Sequence, residues 1–130
     1  MSTSPFTQVE PTPWPSGHGD VIAVVRLEPW LFSKAFDISF FDGSDNLDAY
    51  TAAAIRLRSG RILGLLRHVG DPSPGTEIHA DADDNPLNAL REFLDAFDLC
   101  ADDLRWLRHD VPVDHLRAAE EGVRAASSRA

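Results

Sequence analysis

One acidic segment has the residue types of a calcium-binding loop. Asp81, Asp83, Asn85 and Glu92 stand at positions 1, 3, 5 and 12 of a window in which EF-hand loops place oxygen ligands. Pro86 stands at position 6, where an EF-hand needs glycine for its sharp turn. We therefore interpret these carboxylates as groups that favour the start of a helix, and the sequence predicts no metal site.

The five histidines do not form a recognisable catalytic pattern. His79 and Asp81 lie two residues apart near the end of a predicted strand, so both side chains would share one face and could exchange a proton. No histidine pair has the i, i+4 spacing of a zinc hydrolase, and the chain has no Gly-x-Ser-x-Gly turn and no phosphate-binding loop. An enzyme would need His79 and Asp81 to converge with another titratable group. We predict that the protein is not an enzyme and needs no cofactor.

Hydrophobic patterning predicts strands followed by a helix. Strands are expected over residues 21–27, 36–41, 50–58, 61–68 and 76–80, with turns at Asp42-Gly43 and Ser59-Gly60. A two-residue turn at Ser59-Gly60 would place Arg58 opposite Arg61, which is unfavourable. We therefore expect either a different register, or an anion or the acidic helix that neutralises these arginines.

The segment Asp84-Asn85-Pro86 predicts the start of a helix, because Asn85 or Asp84 can cap it and Pro86 fits its first position. Its apolar stripe extends to Leu99 and consists of Leu87, Leu90, Phe93, Leu94 and Phe97. Residues 102–106 suit either a short helix or an edge strand that turns Leu104 and Trp106 inward. Residues 114–126 predict a terminal helix.

These elements indicate an α+β fold, an antiparallel sheet of about four or five strands with one or two helices packed on one face. Residues 1–19 are rich in proline and glycine and are expected to form a flexible tail. Residues 20–130 are expected to form a single domain.

Charge is distributed unevenly along the 130 residues, whose net charge is -9 at pH 7. Residues 51–70 include four arginines and no acid, whereas residues 77–103 include nine acids and one arginine. A concentrated negative surface attracts and orients cationic partners, although such a surface can also be merely solvated. The acidity argues against binding to nucleic acids or anionic membranes.

Two further features narrow the class of protein. The single cysteine, Cys100, excludes an intramolecular disulfide framework. The longest apolar run, residues 21–25, is far shorter than the ~20 residues of a membrane span. Because residues 1–19 also lack the features of a signal peptide, we expect a cytoplasmic location.

In size, acidity and α+β plan, the chain resembles the small acidic immunity proteins and antitoxins that bacteria make against their own nuclease toxins. The resemblance rests on the Ser59-Gly60-Arg61 hairpin, on residues 77–86 leading into the helix, and on Leu104-Arg105-Trp106. It implies a stoichiometric inhibitor whose acidic surface covers or imitates the substrate site of a cationic toxin. The contacts that it implies are Asp81, Asp83, Asp84, Glu92, Asp95, Asp98 and an exposed aromatic anchor, Trp106 or Trp30.

The alternative hypothesis is a small acidic chaperone or adaptor for a secreted protein. Such a protein would hold an unfolded segment through an exposed apolar groove and would usually dimerise. Either function is compatible with a monomer or a homodimer.

Overall fold

The computed structural model describes residues 5–9, 20–44, 49–72, 74–112, 114 and 116. Seven strands and two α-helices are present in these ranges. The elements are β1 (Phe6–Val9), β2 (Asp20–Val25), α1 (Pro29–Phe36), β3 (Phe41–Ser44), β4 (Ala49–Leu57), β5 (Ile62–His68), β6 (Thr76–Ala80), α2 (Pro86–Ala96) and β7 (Leu104–Leu107), with a short 3-10 helix at Ala101–Asp103.

The strands form one antiparallel sheet in the order β1-β4-β5-β6-β2-β7, and β3 pairs with the other half of β4. Helix α1 contacts β5, and α2 contacts β2 and β4. The helices also contact each other, so both lie on the same face of the sheet. The predicted α+β class is confirmed, with more strands than expected.

The hairpin between β4 and β5 has a longer turn than the sequence suggested. The Leu57 amide donates to the Arg61 carbonyl at 2.8 Å, and the Gly60 amide donates to the Leu57 carbonyl at 2.9 Å. Gly60 has φ +94°, a conformation that favours glycine and is typical of a three-residue hairpin with a bulge. Arg61 therefore lies opposite Leu57, and the different register, one of the alternatives that the sequence allowed, is confirmed.

The strand predicted over residues 36–41 is also wrong. Pro29 ends the extended segment after β2 and at the same time begins helix α1, because its fixed φ suits the first helical position. The helix ends after Phe36, where Asp37 takes a left-handed conformation with φ 58°. Gly43, expected in a turn, lies within β3 opposite Tyr50, whose ring fills the space of a side chain at position 43.

The two ends of the chain are only partly described. Phe6–Val9, which the sequence placed in the tail, forms β1 within the sheet, and the remainder of residues 1–19 other than Pro5 lies outside the described residues. Asp114 and Leu116 are helical, and the rest of the predicted terminal helix also lies outside the described residues.

Leu104–Leu107 form edge strand β7, as one of the two alternatives predicted. The inward orientation predicted for Trp106 in that strand is not observed. Val24 pairs with Trp106 and Val25 pairs with Leu104, so Arg105 is an extra residue in a bulge. The bulge lets Leu104 and Leu107 pack against the core, while Trp106 remains 45% exposed. The expectation that Trp106 points inward is therefore wrong.

Phe97 is the centre of the aromatic core. Its ring lies 4.5 Å from that of Phe6, 4.8 Å from Phe36, 4.9 Å from Phe93 and 5.5 Å from Phe32, measured between ring centroids. These rings come from β1, α1 and α2, so one buried side chain joins three elements. Aromatic rings bury 150–250 Å² each, roughly, and dominate the energetics of cores of this kind.

Replacing Phe97 with alanine is expected to lower the free energy of unfolding by about 3–5 kcal/mol, because it removes the contacts with four rings and leaves a cavity. Urea denaturation measures this change. The matched control is F41A, since Phe41 is half-buried outside this cluster and should cost less than about 2 kcal/mol. If F97A does not fold, F97L replaces it. Equal decreases in the free energy of unfolding for F97A and F41A would contradict the central role of Phe97.

Candidate partner-binding surface

The acidic segment begins with residues that fix the start of helix α2. The Asn85 side chain accepts a hydrogen bond from the Asn88 amide at 3.0 Å, and Pro86 is the first helical residue. Asp84 accepts from the Asn85 amide at 2.8 Å, and Asp81 accepts from the Asp83 amide at 3.0 Å. The predicted cap is confirmed, with Asn85 as the capping residue.

Arg61 joins the β4–β5 hairpin to α2. Its Nε donates to Asp84 Oδ2 at 2.5 Å, and its Nη1 donates to Glu92 Oε1 at 2.7 Å. The Ser59 hydroxyl and amide also donate to Glu92, at 2.6 and 3.1 Å. The acidic helix thus neutralises an arginine of the hairpin, which is one of the two solutions that the sequence allowed.

This network changes the acid–base properties of its members. Burial raises the pKa of Glu92, but the hydrogen bonds from Ser59 and Arg61 outweigh burial, so the pKa lies below that of an ordinary glutamate. The hydrogen bond to Asp84 is the largest influence on Arg61 and raises its pKa. Both groups are therefore held in their charged forms at neutral pH.

The six predicted carboxylates divide into two groups. Asp81, Asp84 and Glu92 are partly buried and accept hydrogen bonds within the fold. Asp83, Asp95 and Asp98 are exposed, and their carboxylates form no hydrogen bond or ion pair within the described part of the chain. The second group is the one whose charge the fold leaves available to a partner.

Asp95 and Asp98 occupy unfavourable positions at the carboxyl end of α2. The Leu99 amide donates to the Leu94 carbonyl at 2.8 Å and the Asp98 amide donates to the Asp95 carbonyl at 3.3 Å, which is the Schellman arrangement. Asp98 has φ 55°, at a position that glycine usually fills. The last turn of α2 has no basic residue, and a carboxylate there opposes the helix dipole by about 0.3–1 kcal/mol.

The structure separates the two candidate aromatic anchors. Trp106 pairs with Val24, which pairs with Glu77 on the face of the sheet opposite the helices. Trp30 is 57% exposed and lies in the first turn of α1. That turn lies beside the last turn of α2, because the Phe32 ring is 6.3 Å from Phe93 and 5.5 Å from Phe97. Phe32 itself is buried there, whereas Trp30, two residues earlier and about 200° around the helix, is exposed.

A cluster that the sequence did not predict lies on the opposite face. Glu77 lies between two imidazoles, with Oε1 3.1 Å from His79 Nε2 and Oε2 3.3 Å from His68 Nδ1. Burial raises the pKa of Glu77, but the hydrogen bonds with His79 and His68 outweigh it, and the pKa is lowered. The Glu77–His79 spacing was a visible signal, whereas His68 required the strand register. The sequence suggested Asp81 as the partner of His79. The structure places Glu77 beside His79 as well, a residue that the sequence analysis did not single out.

No group of three or more His, Cys, Asp or Glu among the described residues is arranged to hold a metal ion. The helices described for this chain are too short or too polar to cross a membrane. Comparisons with protein-family models, curated proteins and solved structures gave no match. The function is therefore argued from the geometry.

Replacing Arg61 with methionine is expected to lower the free energy of unfolding at pH 7 by about 1–2 kcal/mol, because Asp84 and Glu92 lose their shared charge-assisted hydrogen bonds. Because the pKa of Glu92 is lowered in the folded state, its contribution is present above the ordinary value of 4.5 and is lost as the pH falls through the folded-state pKa. Urea denaturation from pH 7 to pH 3 should therefore show the cost of R61M shrinking below pH 4.5.

The matched control for this experiment is R56M. Arg56 lies on the same hairpin and is exposed, so its replacement should change stability by less than about 0.5 kcal/mol. A cost of R61M that is independent of pH would show that packing of the arginine stem, and not its ion pairs, joins the hairpin to α2.

Proposed function

We propose that the protein is an immunity or antitoxin protein that neutralises a basic toxin, binding it through the carboxylates at the carboxyl end of α2. The observation that carries this proposal is the placement of Asp95 and Asp98. Both are exposed, neither carboxylate has a partner among the described residues, the helix dipole opposes their charge, and Asp98 also has a left-handed backbone conformation that favours glycine.

Neutral residues at these positions would make a more stable fold. Glycine or asparagine suits the left-handed position of Asp98, and any uncharged side chain avoids the repulsion between Asp95 and the helix terminus. Residues that lower stability without serving the fold are typical of binding sites, where stability is exchanged for function. A cationic partner would offset the repulsion between the two carboxylates and the carboxyl end of the helix dipole.

The proposed surface extends along α2. The helix has 11 residues and is about 16 Å long, and Asp83 precedes its amino end. Arg61 already neutralises part of the charge of Asp84 and Glu92, and Asp81 accepts a hydrogen bond from the Asp83 amide. We expect Asp95 and Asp98 to contribute most to binding, Asp83 less, and the other three mainly to the long-range attraction of the partner.

The double variant D95N/D98N tests whether these two carboxylates contribute most to binding. Its free energy of unfolding should be raised by about 0.5–1 kcal/mol, because two charges that oppose the helix dipole are removed. Its ability to capture a basic protein from a host lysate should nevertheless be lost. A toxin captured by the wild type should arrest growth when expressed alone and should be harmless when the wild-type chain is expressed with it.

The matched control is D37N/D42N, which removes the same number of charges. Asp37 is also exposed and left-handed at the end of a helix, with φ 58°, and Asp42 is exposed on β3. This variant should keep the partner. Loss of the partner in both double variants would indicate a dependence on net charge alone, and retention in both would contradict the proposed surface.

One observation favours the alternative of a chaperone or adaptor. Trp106 is 45% exposed on edge strand β7, on the face away from the helices, where an extended segment of another protein could bind. Under that hypothesis W106A would abolish capture, D95N/D98N would not, and the complex would withstand high salt.

A further inference from the structure

Trp30 presents an aromatic ring whose orientation is fixed by a carboxylate. Its indole Nε1 donates to Glu28 Oε2 at 2.7 Å, and more than half of the side chain, 57%, is exposed. Glu28 stands at the N-cap of α1, yet its side chain does not cap the helix. No other side-chain hydrogen bond, ion pair or ring contact of Glu28 or Trp30 is present among the described residues.

This pair has the chemistry of a site for a planar cation. Trp has the strongest cation–π interaction of the aromatic side chains, worth about 0.5–2 kcal/mol depending on desolvation. A hydrogen bond from the indole nitrogen to a carboxylate adds negative charge beside the ring. The second oxygen of Glu28, Oε1, accepts no hydrogen bond within the described chain and remains an acceptor for a cation bound at the indole.

Arginine fits this arrangement better than lysine. A guanidinium group stacks on an aromatic face and donates in its own plane to a carboxylate, whereas an ammonium group is a compact and more strongly hydrated charge. The turn that contains Trp30 lies beside the end of α2, as the contacts of Phe32 with Phe93 and Phe97 show. A basic partner carries several cations, and an exposed indole beside a carboxylate can bind one of them.

Two cations of the chain lie near this pair in the sequence. Arg26 is directed to the 3-10 helix, where its Nε donates to the Asp102 carbonyl at 3.3 Å. Lys34 is exposed one helical turn after Trp30 and therefore lies on the same side of α1. Its charge opposes an incoming cation, so removing that charge should strengthen binding.

We propose that Trp30 and Glu28 form a subsite for an arginine side chain of the partner. The inference rests on the proposed function for the existence of a basic partner. The subsite itself can be tested without the partner, because the indole N–H of Trp30 is a direct spectroscopic probe of the site.

The experiment is a titration of the ¹⁵N-labelled protein with N-acetyl-arginine amide and, separately, with N-acetyl-lysine amide at equal ionic strength. W30F identifies the Trp30 indole signal, and the indole signals of Trp14 and Trp106 are internal controls. The arginine amide should shift the Trp30 signal about threefold more than the lysine amide does. E28Q should abolish this preference, and K34Q should increase the shift.

Equal shifts with the two amides, or a Trp30 signal that does not respond, would overturn the arginine subsite. Capture of a basic protein that depends on Asp95 and Asp98 would then still support the proposed function. Conversely, the Trp30 signal could shift specifically with the arginine amide while D95N/D98N still captures the partner. That result would support the subsite and contradict the proposed role of Asp95 and Asp98 in binding.

Discussion

Burial of Phe97 determines where helix α2 ends and which side chains its end displays. The ring lies among aromatic side chains from β1, α1 and α2, so the residue that closes the helix is fixed in the core. The next residue, Asp98, must leave the helix in a left-handed conformation and is exposed. The same contacts hold the first turn of α1, with Trp30, beside this end. Packing in the core thus leaves two carboxylates exposed at the carboxyl end of α2.

The acidic segment serves two different purposes. Asp84, before the amino end of α2, and Glu92, within the helix, bind Arg61, so their charge stabilises the fold. At the carboxyl end, Asp95 and Asp98 have no such partners among the described residues and oppose the helix dipole. The acidic residues that give the chain its net charge of -9 therefore do not all have the same role. Asp84 and Glu92 are bound by Arg61, whereas Asp95 and Asp98 at the carboxyl end of α2 are available to a partner.

Local signals in the sequence were sufficient for α2 and for the central hairpin. Asn85 and Pro86 determine the start of the helix through contacts within a few residues, and the strands around Ser59-Gly60 have strong apolar patterns. Helix α1 was missed because Phe36, Ile38 and Phe40 alternate as in a strand, although Asp37 ends a helix there. The inward orientation expected for Trp106 failed because a bulge at Arg105 changes the side-chain alternation in β7.

Contacts between residues that are far apart in the sequence could not be predicted from local sequence patterns. Arg61 and Glu92 are 31 residues apart, and only the packing of α2 across the hairpin brings them together. The proximity of His68 to Glu77 depends on the register of β5 against β6, which no local pattern specifies. The list of acidic candidates was available from composition, but the division into bound and available carboxylates required the fold.

The most direct test of this account is amide hydrogen exchange of the protein, free and in complex with the captured basic partner. The account predicts that binding slows exchange in the last turn of α2, in residues 97–103 and in the first turn of α1, and leaves β7 and the face around Glu77 unchanged. Protection confined to β7 and the face that carries Trp106 would contradict it and would favour the chaperone hypothesis.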